Sequence, residues 1–110
     1  MIPGDLFLFS GILFIQIKIP AAATLKDRRQ ITRSIQERAK ARFNISVADL
    51  GPDGSCQDAF LVFETVSSSP DATEERILSV ERMIRSMENK GDFYIVRGHR
   101  EVESRAWFQD

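Results

Sequence analysis

The sequence predicts an α+β fold, in which a four-stranded antiparallel sheet carries two helices on one face. Two observations lead to this prediction. Strand-like and helix-like segments follow one another in the order strand, helix, strand, strand, helix, strand, so each half of the chain repeats a βαβ unit. Each helical segment also carries one apolar stripe, which a sheet face can cover. Two halves of this kind form a ferredoxin-like βαββαβ sandwich.

Length and composition fit one globular domain. The chain has 110 residues, of which 43% are hydrophobic and 28% charged, as in ordinary globular domains. A net charge of −1 gives no overall attraction to nucleic acid or membranes. The single cysteine, Cys56, excludes an internal disulfide and a cysteine-based zinc site and fits a reducing compartment. We therefore expect a cytoplasmic protein with no cofactor, no metal and no membrane partner.

The first element is predicted to be a strand. The apolar run that contains it superficially resembles a signal peptide, but no Lys or Arg precedes the run and Asp5 lies where a positive charge would be needed. A period of two places Leu13, Ile15, Ile17 and Ile19 on one face and Ile12, Phe14, Gln16 and Lys18 on the other. We assign residues 1–10 to an N-terminal extension, 11–103 to the single domain and 104–110 to a C-terminal tail.

The next three elements complete the first half of the sandwich and begin the second. Thr24 is predicted to cap a helix that continues to Phe43, with Asp27 in a variant of the capping box. Ile45–Leu50 reads as a strand, ended by a Gly-Pro-Asp-Gly turn. Ala59–Val66 is apolar on both faces, which is typical of a central strand.

A second helix and a last strand complete the predicted fold. The loop Ser67–Asp71 leads into the helix, which is expected to stop at Gly91. Phe93–Val96 is predicted to be the last strand, with a possible extension to Val102. The apolar stripe of this helix consists of Ile77, Val80, Ile84 and Met87.

Near its start the chain has Ile19-Pro20, a short loop and then Leu25 to Arg29, and the segment from Arg42 to Ala48 leads into the next strand. In these segments, and over most of its length, the chain resembles the YlxP-like family of small bacterial proteins, the domain-of-unknown-function family 503. The pattern of that family runs Ile-Pro, Gly-x-x-Ser and Leu-Lys-x-Lys-Arg. The resemblance implies the same ferredoxin-like fold. Genes of the family commonly lie beside ribosome-maturation and translation genes, which implies an accessory role near RNA, although the family has no established activity.

The first helix concentrates positive charge. From Lys26 to Phe43 the chain has seven basic residues and two acidic ones, a local net charge of +5. A helical wheel places four of the basic residues in one narrow stripe: Lys26, Arg29, Arg33 and Lys40. Such a stripe can follow nucleic-acid phosphates, so it is our candidate RNA contact. The alternative is a solvated helix face that keeps the protein soluble.

Arg28 differs from the stripe residues because the wheel places it at the centre of the apolar face. An unpaired charge there would be costly, so we expect its guanidinium to reach the end of the sheet or to pair with Asp49, Asp58 or Glu64. We interpret Arg28 as a structural anchor. A ligand-binding role is the alternative.

The sheet face without helices is the second candidate surface. Phe14, Phe60, Val62 and Val66 are predicted to point away from the helices, and an apolar patch of this kind usually marks an interface. We expect a second subunit or the N-terminal piece from Leu6 to Phe9 to cover it. Stacking on RNA bases is a weaker alternative, because the third strand lacks the basic start of the RNA-recognition motif.

No catalytic constellation is evident. His99 is the single histidine and is expected at the surface, Cys56 has no histidine near it in sequence, and no glycine-rich phosphate loop occurs. The predicted function is that of a non-enzymatic accessory protein, associated with RNA or a ribosomal particle through the basic stripe and self-associating. The alternative is a protein-interaction or regulatory module that dimerises through its open sheet face. An unrecognised small-molecule enzyme comes third.

Overall fold

The fold class predicted from the sequence is confirmed. A computed structural model describes residues 6–52 and 54–107. Its elements in chain order are β1 (Leu6–Lys18), α1 (Leu25–Arg42), β2 (Ser46–Asp49), β3 (Asp58–Ser67), α2 (Pro70–Glu88) and β4 (Tyr94–Trp107). The strands form one sheet in the order β2-β3-β1-β4, and all neighbours are antiparallel. α1 packs over β2 and β3, and α2 packs over β1, β3 and β4. This is the ferredoxin-like arrangement.

Side-chain caps fix the starts of both helices. The Oγ1 atom of Thr24 accepts a hydrogen bond from the Asp27 N–H (3.1 Å), and the Asp27 carboxylate accepts one from the Thr24 N–H (3.1 Å), which confirms the predicted capping box. The side chain of Ser69 caps α2, with Pro70 as its first residue. Phe43, predicted to be helical, is the extended C-cap residue of α1.

The core lies between the sheet and the two helices. Odd-numbered residues of β1 and β3 point toward the helices, and the stripe predicted for α2 is buried against them. The largest side chains with less than 2% exposure are Leu13, Ile15, Ile17, Leu61 and Phe63 from the sheet and Ile35, Ile77, Val80 and Ile84 from the helices. The other sheet face carries no helix.

The first and last strands, β1 and β4, are longer than the sequence predicts. β1 already begins at Leu6, and the segment from Leu6 to Ser10 pairs with β4 from Glu103 to Trp107. This segment therefore extends the sheet in its own plane. The expectation that Leu6 to Phe9 could cover the open sheet face is wrong, because backbone pairing with β4 holds these residues in the strand. Strand structure thus crosses both predicted domain boundaries, at residues 10 and 103. The remaining parts of the predicted extension and tail, 1–5 and 108–110, lie outside the described residues.

Candidate functional site

The four residues of the basic stripe all lie exposed on α1. Lys26, Arg29, Arg33 and Lys40 form a row beside the buried face of the helix, and all four residues are exposed. Within residues 6–52 and 54–107, none of the four side chains forms a salt bridge or a hydrogen bond. Their charges are therefore not neutralised by direct protein contacts in this part of the chain, and their donors are open to solvent.

The two acidic residues of α1 do little to offset the stripe. Asp27 is bound by the backbone N–H of Ala23 (2.9 Å) and of Thr24, and these hydrogen bonds hold its pKa below the usual value. Its carboxylate is thus directed at the start of the helix. Glu37 is exposed and forms no salt bridge within the described chain. The local excess of positive charge is therefore presented to solvent.

Two further arginines of α1 lie on another side of the helix. At 100° per residue, Arg38 and Arg42 are separated by more than about 100° from the centre of the stripe. The guanidinium carbon of Arg42 lies 5.5 Å from the centroid of the Phe43 ring, within the range of a cation–π contact. These two residues provide a matched comparison for the stripe, because they carry the same charge on the same helix.

Arg28 lies against the ends of β2 and β3 and is only 6% exposed. Its Nη1 and Nη2 atoms donate to the two carboxylate oxygens of Asp49, at 2.7 and 2.8 Å. Its Nε donates to the Asp58 carbonyl at 2.7 Å, and Nη2 also donates to the Gly51 carbonyl at 3.1 Å. The acid it contacts is thus Asp49, one of the three candidates from the sequence. This geometry ties the first turn of α1 to the segment that follows β2.

The carboxylates around Arg28 are stabilised in their charged form. Partial burial acts to raise the pKa of Asp49, but hydrogen bonds from Arg28 and from the Gly51 N–H outweigh it and hold the pKa below the usual value. The pKa of Asp58 is lowered chiefly by its hydrogen bond with Lys18, at 2.7 Å, and also by one from Ser55. At this corner Arg28 and both carboxylates have hydrogen-bond partners among the described residues.

The open sheet face carries all four residues predicted for it. Phe14 is 39% and Val66 60% exposed, and Phe60 and Val62 are half-buried. Phe14 and Val62 are direct partners across β1 and β3, and Val66 lies further along, opposite Ser10. Polar residues interrupt the patch, since the Ser10 hydroxyl donates to Glu64 on the same face at 3.0 Å. Ser10 and Glu64 thus separate Val66 from Phe14 and Val62 on this face.

Three residues that the sequence did not assign to this face complete it. The His99 ring stacks on Phe14 with 6.4 Å between centroids and 30° between planes. The Nε atom of Arg97 donates to the Gln16 side chain at 2.9 Å. Leu50 is 58% exposed, and it lines a shallow depression of about 630 Å³ together with Phe14, Phe60, Arg97 and His99. The alternation of Arg97 and His99 along β4 is the sequence signal that could have placed them here.

A second buried charge lies on the helix side of the sheet. Glu81 of α2 is 8% exposed and contacts Arg85 at 2.9 Å and, in a short hydrogen bond, Arg100 of β4. Burial acts to raise the pKa of Glu81, but the two guanidinium groups outweigh it and keep the pKa below the usual value. Glu81 thus links α2 to the outer strand.

Cys56 and His99 contact different partners. Cys56 is half-buried, and its thiol donates to the Ala22 carbonyl at 3.3 Å. His99 lies on β4, where its Nε2 is 2.9 Å from the Glu101 carboxylate. Among residues 6–52 and 54–107, no group of three or more His, Cys, Asp or Glu side chains is arranged to hold a metal ion. Neither described helix is long and apolar enough to cross a membrane.

The chain belongs to DUF503, a family of proteins of unknown function, whose model matches residues 11–97. This match confirms the resemblance noted from the sequence at the level of that family. No curated protein matches the chain significantly.

Two solved structures are similar to the chain at low identity. The de novo designed protein Foldit4 has 15% identity and a TM-score of 0.44, with 92% of this chain and 99% of that chain covered. A C-terminal segment of the alpha subunit of aIF2 from Pyrococcus abyssi has 14% identity and a TM-score of 0.48, with 86% and 49% covered. Similarities this distant do not bear on function.

Proposed function

We propose that this protein is a non-enzymatic, cytoplasmic accessory protein that contacts RNA, on a ribosomal particle, through the basic stripe of α1. One observation carries the proposal. The stripe residues Lys26, Arg29, Arg33 and Lys40 are exposed, and their charged groups form no salt bridge within the described chain. Cations that stabilise a fold are normally paired, as Arg28 is, whereas unpaired cations in a row along one helix are suited to phosphates.

The charge distribution supports local rather than global binding. The whole chain carries a net charge of −1 and α1 with its C-cap a net of +5, seven basic residues against two acidic ones, so the rest of the chain is negative. An RNA would therefore be attracted to α1 and repelled elsewhere, which orients the protein on the particle. Four phosphate contacts give weak binding that depends little on sequence.

The experiment is an anisotropy titration of a labelled ribosomal-RNA fragment at low and at physiological salt. We expect the wild type to bind at low salt and to weaken strongly as salt rises. The Arg29→Ala/Arg33→Ala variant should bind more weakly, and the matched Arg38→Ala/Arg42→Ala variant should bind like the wild type. Equal weakening of both variants would indicate nonspecific attraction to net charge, and no binding at low salt would contradict the proposal.

A second candidate is a protein-interaction or regulatory module that dimerises through its open sheet face. The observation in its favour is the depression between Phe14, Leu50 and Phe60, in which apolar side chains remain exposed. Under this alternative, Phe60→Glu would convert a dimer into a folded monomer, because a charge would be buried in the contact. Light scattering together with a melting curve measures both properties.

A further inference from the structure

Among residues 6–52 and 54–107, no strand pairs with the outer edge of β4, which is long. The sheet order places β4 at one side, and all of its residues from Val96 to Ala106 are exposed. At its beginning the edge is blocked, because the Ile95 N–H donates to the Glu88 carboxylate at 2.6 Å and a β-bulge interrupts the pairing with β1 beside Ile17. Beyond the bulge the strand runs regularly from Arg97. An edge of this length is a template for another strand.

The charged side chains along this edge are arranged so that they would complement those of a second, antiparallel copy of β4. Arg97, His99, Glu101 and Glu103 share the open face of the sheet, because they lie opposite Gln16, Phe14, Ile12 and Ser10 of β1. Along the strand, Arg97 and His99 come first and the two glutamates follow. If a second β4 runs antiparallel with Arg100 opposite its own copy, Arg97 lies opposite Glu103, and His99 lies opposite Glu101. The Arg97–Glu103 pair joins opposite charges, which stabilises a sheet, and the His99 ring can form a hydrogen bond with the Glu101 carboxylate opposite it.

Neighbouring registers lack this match. In an antiparallel pair, residues directly opposite each other lie on the same side of the sheet. The two-fold axis of a symmetric pair therefore lies beside a residue that is opposite its own copy, and the alternative registers place the axis at neighbouring residues. An axis at Glu101 places that glutamate opposite itself and Arg97 opposite Arg105. An axis at Val102 places Glu101 opposite Glu103. An axis at His99 pairs Arg97 with Glu101, but a ladder that avoids the bulged Val96 is then limited to residues 97–101, two residues shorter than with the axis at Arg100. The axis at Arg100 is therefore favoured.

The helix side of β4 fits the same register. It places Val102, which is 42% exposed, opposite Gly98 of the other copy. Gly98 has no side chain, and the position that a Cβ would take lies 3.0 Å from Ile15 Cδ1, 3.6 Å from the Phe14 carbonyl oxygen and 3.8 Å from Glu81 Oε2. Val102 would therefore face a position without a side chain, next to one apolar and two polar atoms. Arg100 would meet Arg100, but the Glu81 carboxylate of each copy binds its own Arg100 and compensates that charge.

We infer that two copies of this chain pair antiparallel along residues 97–103 of β4, with the two-fold axis at Arg100, into a continuous eight-stranded sheet. The interface does not depend on the proposed RNA contact, since α1 packs over β2 and β3 at the other side of the sheet. It is also distinct from a dimer through the open sheet face, which this pairing leaves uncovered.

Charge reversal tests the interface. We expect the wild type to sediment as a dimer over a range of concentrations, and Arg97→Glu or Glu103→Arg to weaken dimerisation at least tenfold while circular dichroism remains native. The double variant Arg97→Glu/Glu103→Arg should dimerise again, because both cross-strand pairs are restored with reversed sign. Arg33→Glu, an equal charge change on α1, should stay dimeric. A monomeric wild type, or a dimer that Phe60→Glu dissociates and Arg97→Glu leaves intact, would overturn the inference.

Cysteine cross-linking tests the register. In a Cys56→Ser background, Arg100→Cys should form an intermolecular disulfide on oxidation. The reason is that residues directly opposite on antiparallel strands have Cα atoms about 4.5–5.5 Å apart. His99→Cys and Glu101→Cys should not cross-link to themselves, since each lies opposite the other. Preferential cross-linking at 99 or 101 would contradict the assigned axis, and equal cross-linking at all three positions would contradict a defined interface.

Discussion

Arg28 and Asp49 form a bidentate ion pair that joins the first turn of α1 to the end of β2, with both N···O distances between 2.7 and 2.8 Å. The guanidinium is nearly inaccessible, whereas the Arg33 guanidinium on the same helix is exposed and forms no salt bridge in the part of the chain that the structure describes. Two arginines five positions apart are thus expected to have different roles. Arg28 would hold the fold together, and Arg33 would remain available for a ligand.

Removing the two arginines should separate these roles. We expect Arg28→Ala to lower the free energy of unfolding by more than about 1 kcal/mol, because it removes the bidentate partner of Asp49 and one hydrogen bond from each of two backbone carbonyls. Arg33→Ala should change it by less than about 0.5 kcal/mol. Urea unfolding followed by circular dichroism measures both values. Equal losses in the two variants would contradict the distinction.

The lowered pKa of Asp49 predicts a dependence of stability on pH. Since the folded-state pKa lies below that of the unfolded chain, the stabilising contribution is fully present above about pH 4 and is lost as pH falls through the folded-state value. Asp49→Asn should therefore be less stable at neutral pH and lose less stability on acidification. Parallel profiles for wild type and Asp49→Asn in urea titrations would disagree with this account.

Close packing of α2 on β1 makes Gly11 sensitive to substitution. A Cβ at this position would lie 2.7 Å from Ile77 Cγ1 and 2.8 Å from Thr73 Cγ2, both of which belong to buried side chains. We expect Gly11→Ala to destabilise the fold by about 1–3 kcal/mol. Gly54→Ala should be nearly neutral, because no atom lies within 4 Å of its added Cβ.

A double substitution at Gly11 and Ile77 tests whether contact between these two residues causes the loss of stability. Ile77→Ala removes the Cγ1 atom that an added Cβ at Gly11 would meet at 2.7 Å, so Gly11→Ala/Ile77→Ala should lose less stability than the two single changes added together. Thermal melting of the four proteins measures this coupling. Strict additivity would mean that the added methyl is accommodated elsewhere.

Local patterns predicted the elements that depend on local chemistry. Thr24 and Asp27 specify the start of α1 because a capping box is formed within one turn. The alternation of Leu13 with Phe14 likewise assigns one side chain to the core and the other to the open face. The stripe Lys26, Arg29, Arg33 and Lys40 could be read from a helical wheel alone.

Features that depend on long-range pairing could not be predicted in this way. The segment after Glu101 has no apolar alternation, and it is a strand because β1 supplies a partner from Leu6 to Ser10. The contact of Glu81 with Arg100 joins residues from a helix and a strand, which no local pattern connects. His99 was expected at an exposed strand end, and only the register with Phe14 places it on the open face.

The most direct test of the RNA-contact proposal is the salt dependence of RNA binding. For four phosphate contacts, the logarithm of the binding constant should fall with the logarithm of the salt concentration with a slope of about 3 to 4, and Arg29→Ala/Arg33→Ala should reduce that slope by about 1.5 to 2. Anisotropy titrations across several salt concentrations give both slopes. An unchanged slope in Arg29→Ala/Arg33→Ala, or the same reduction in Arg38→Ala/Arg42→Ala, would contradict a contact through the stripe.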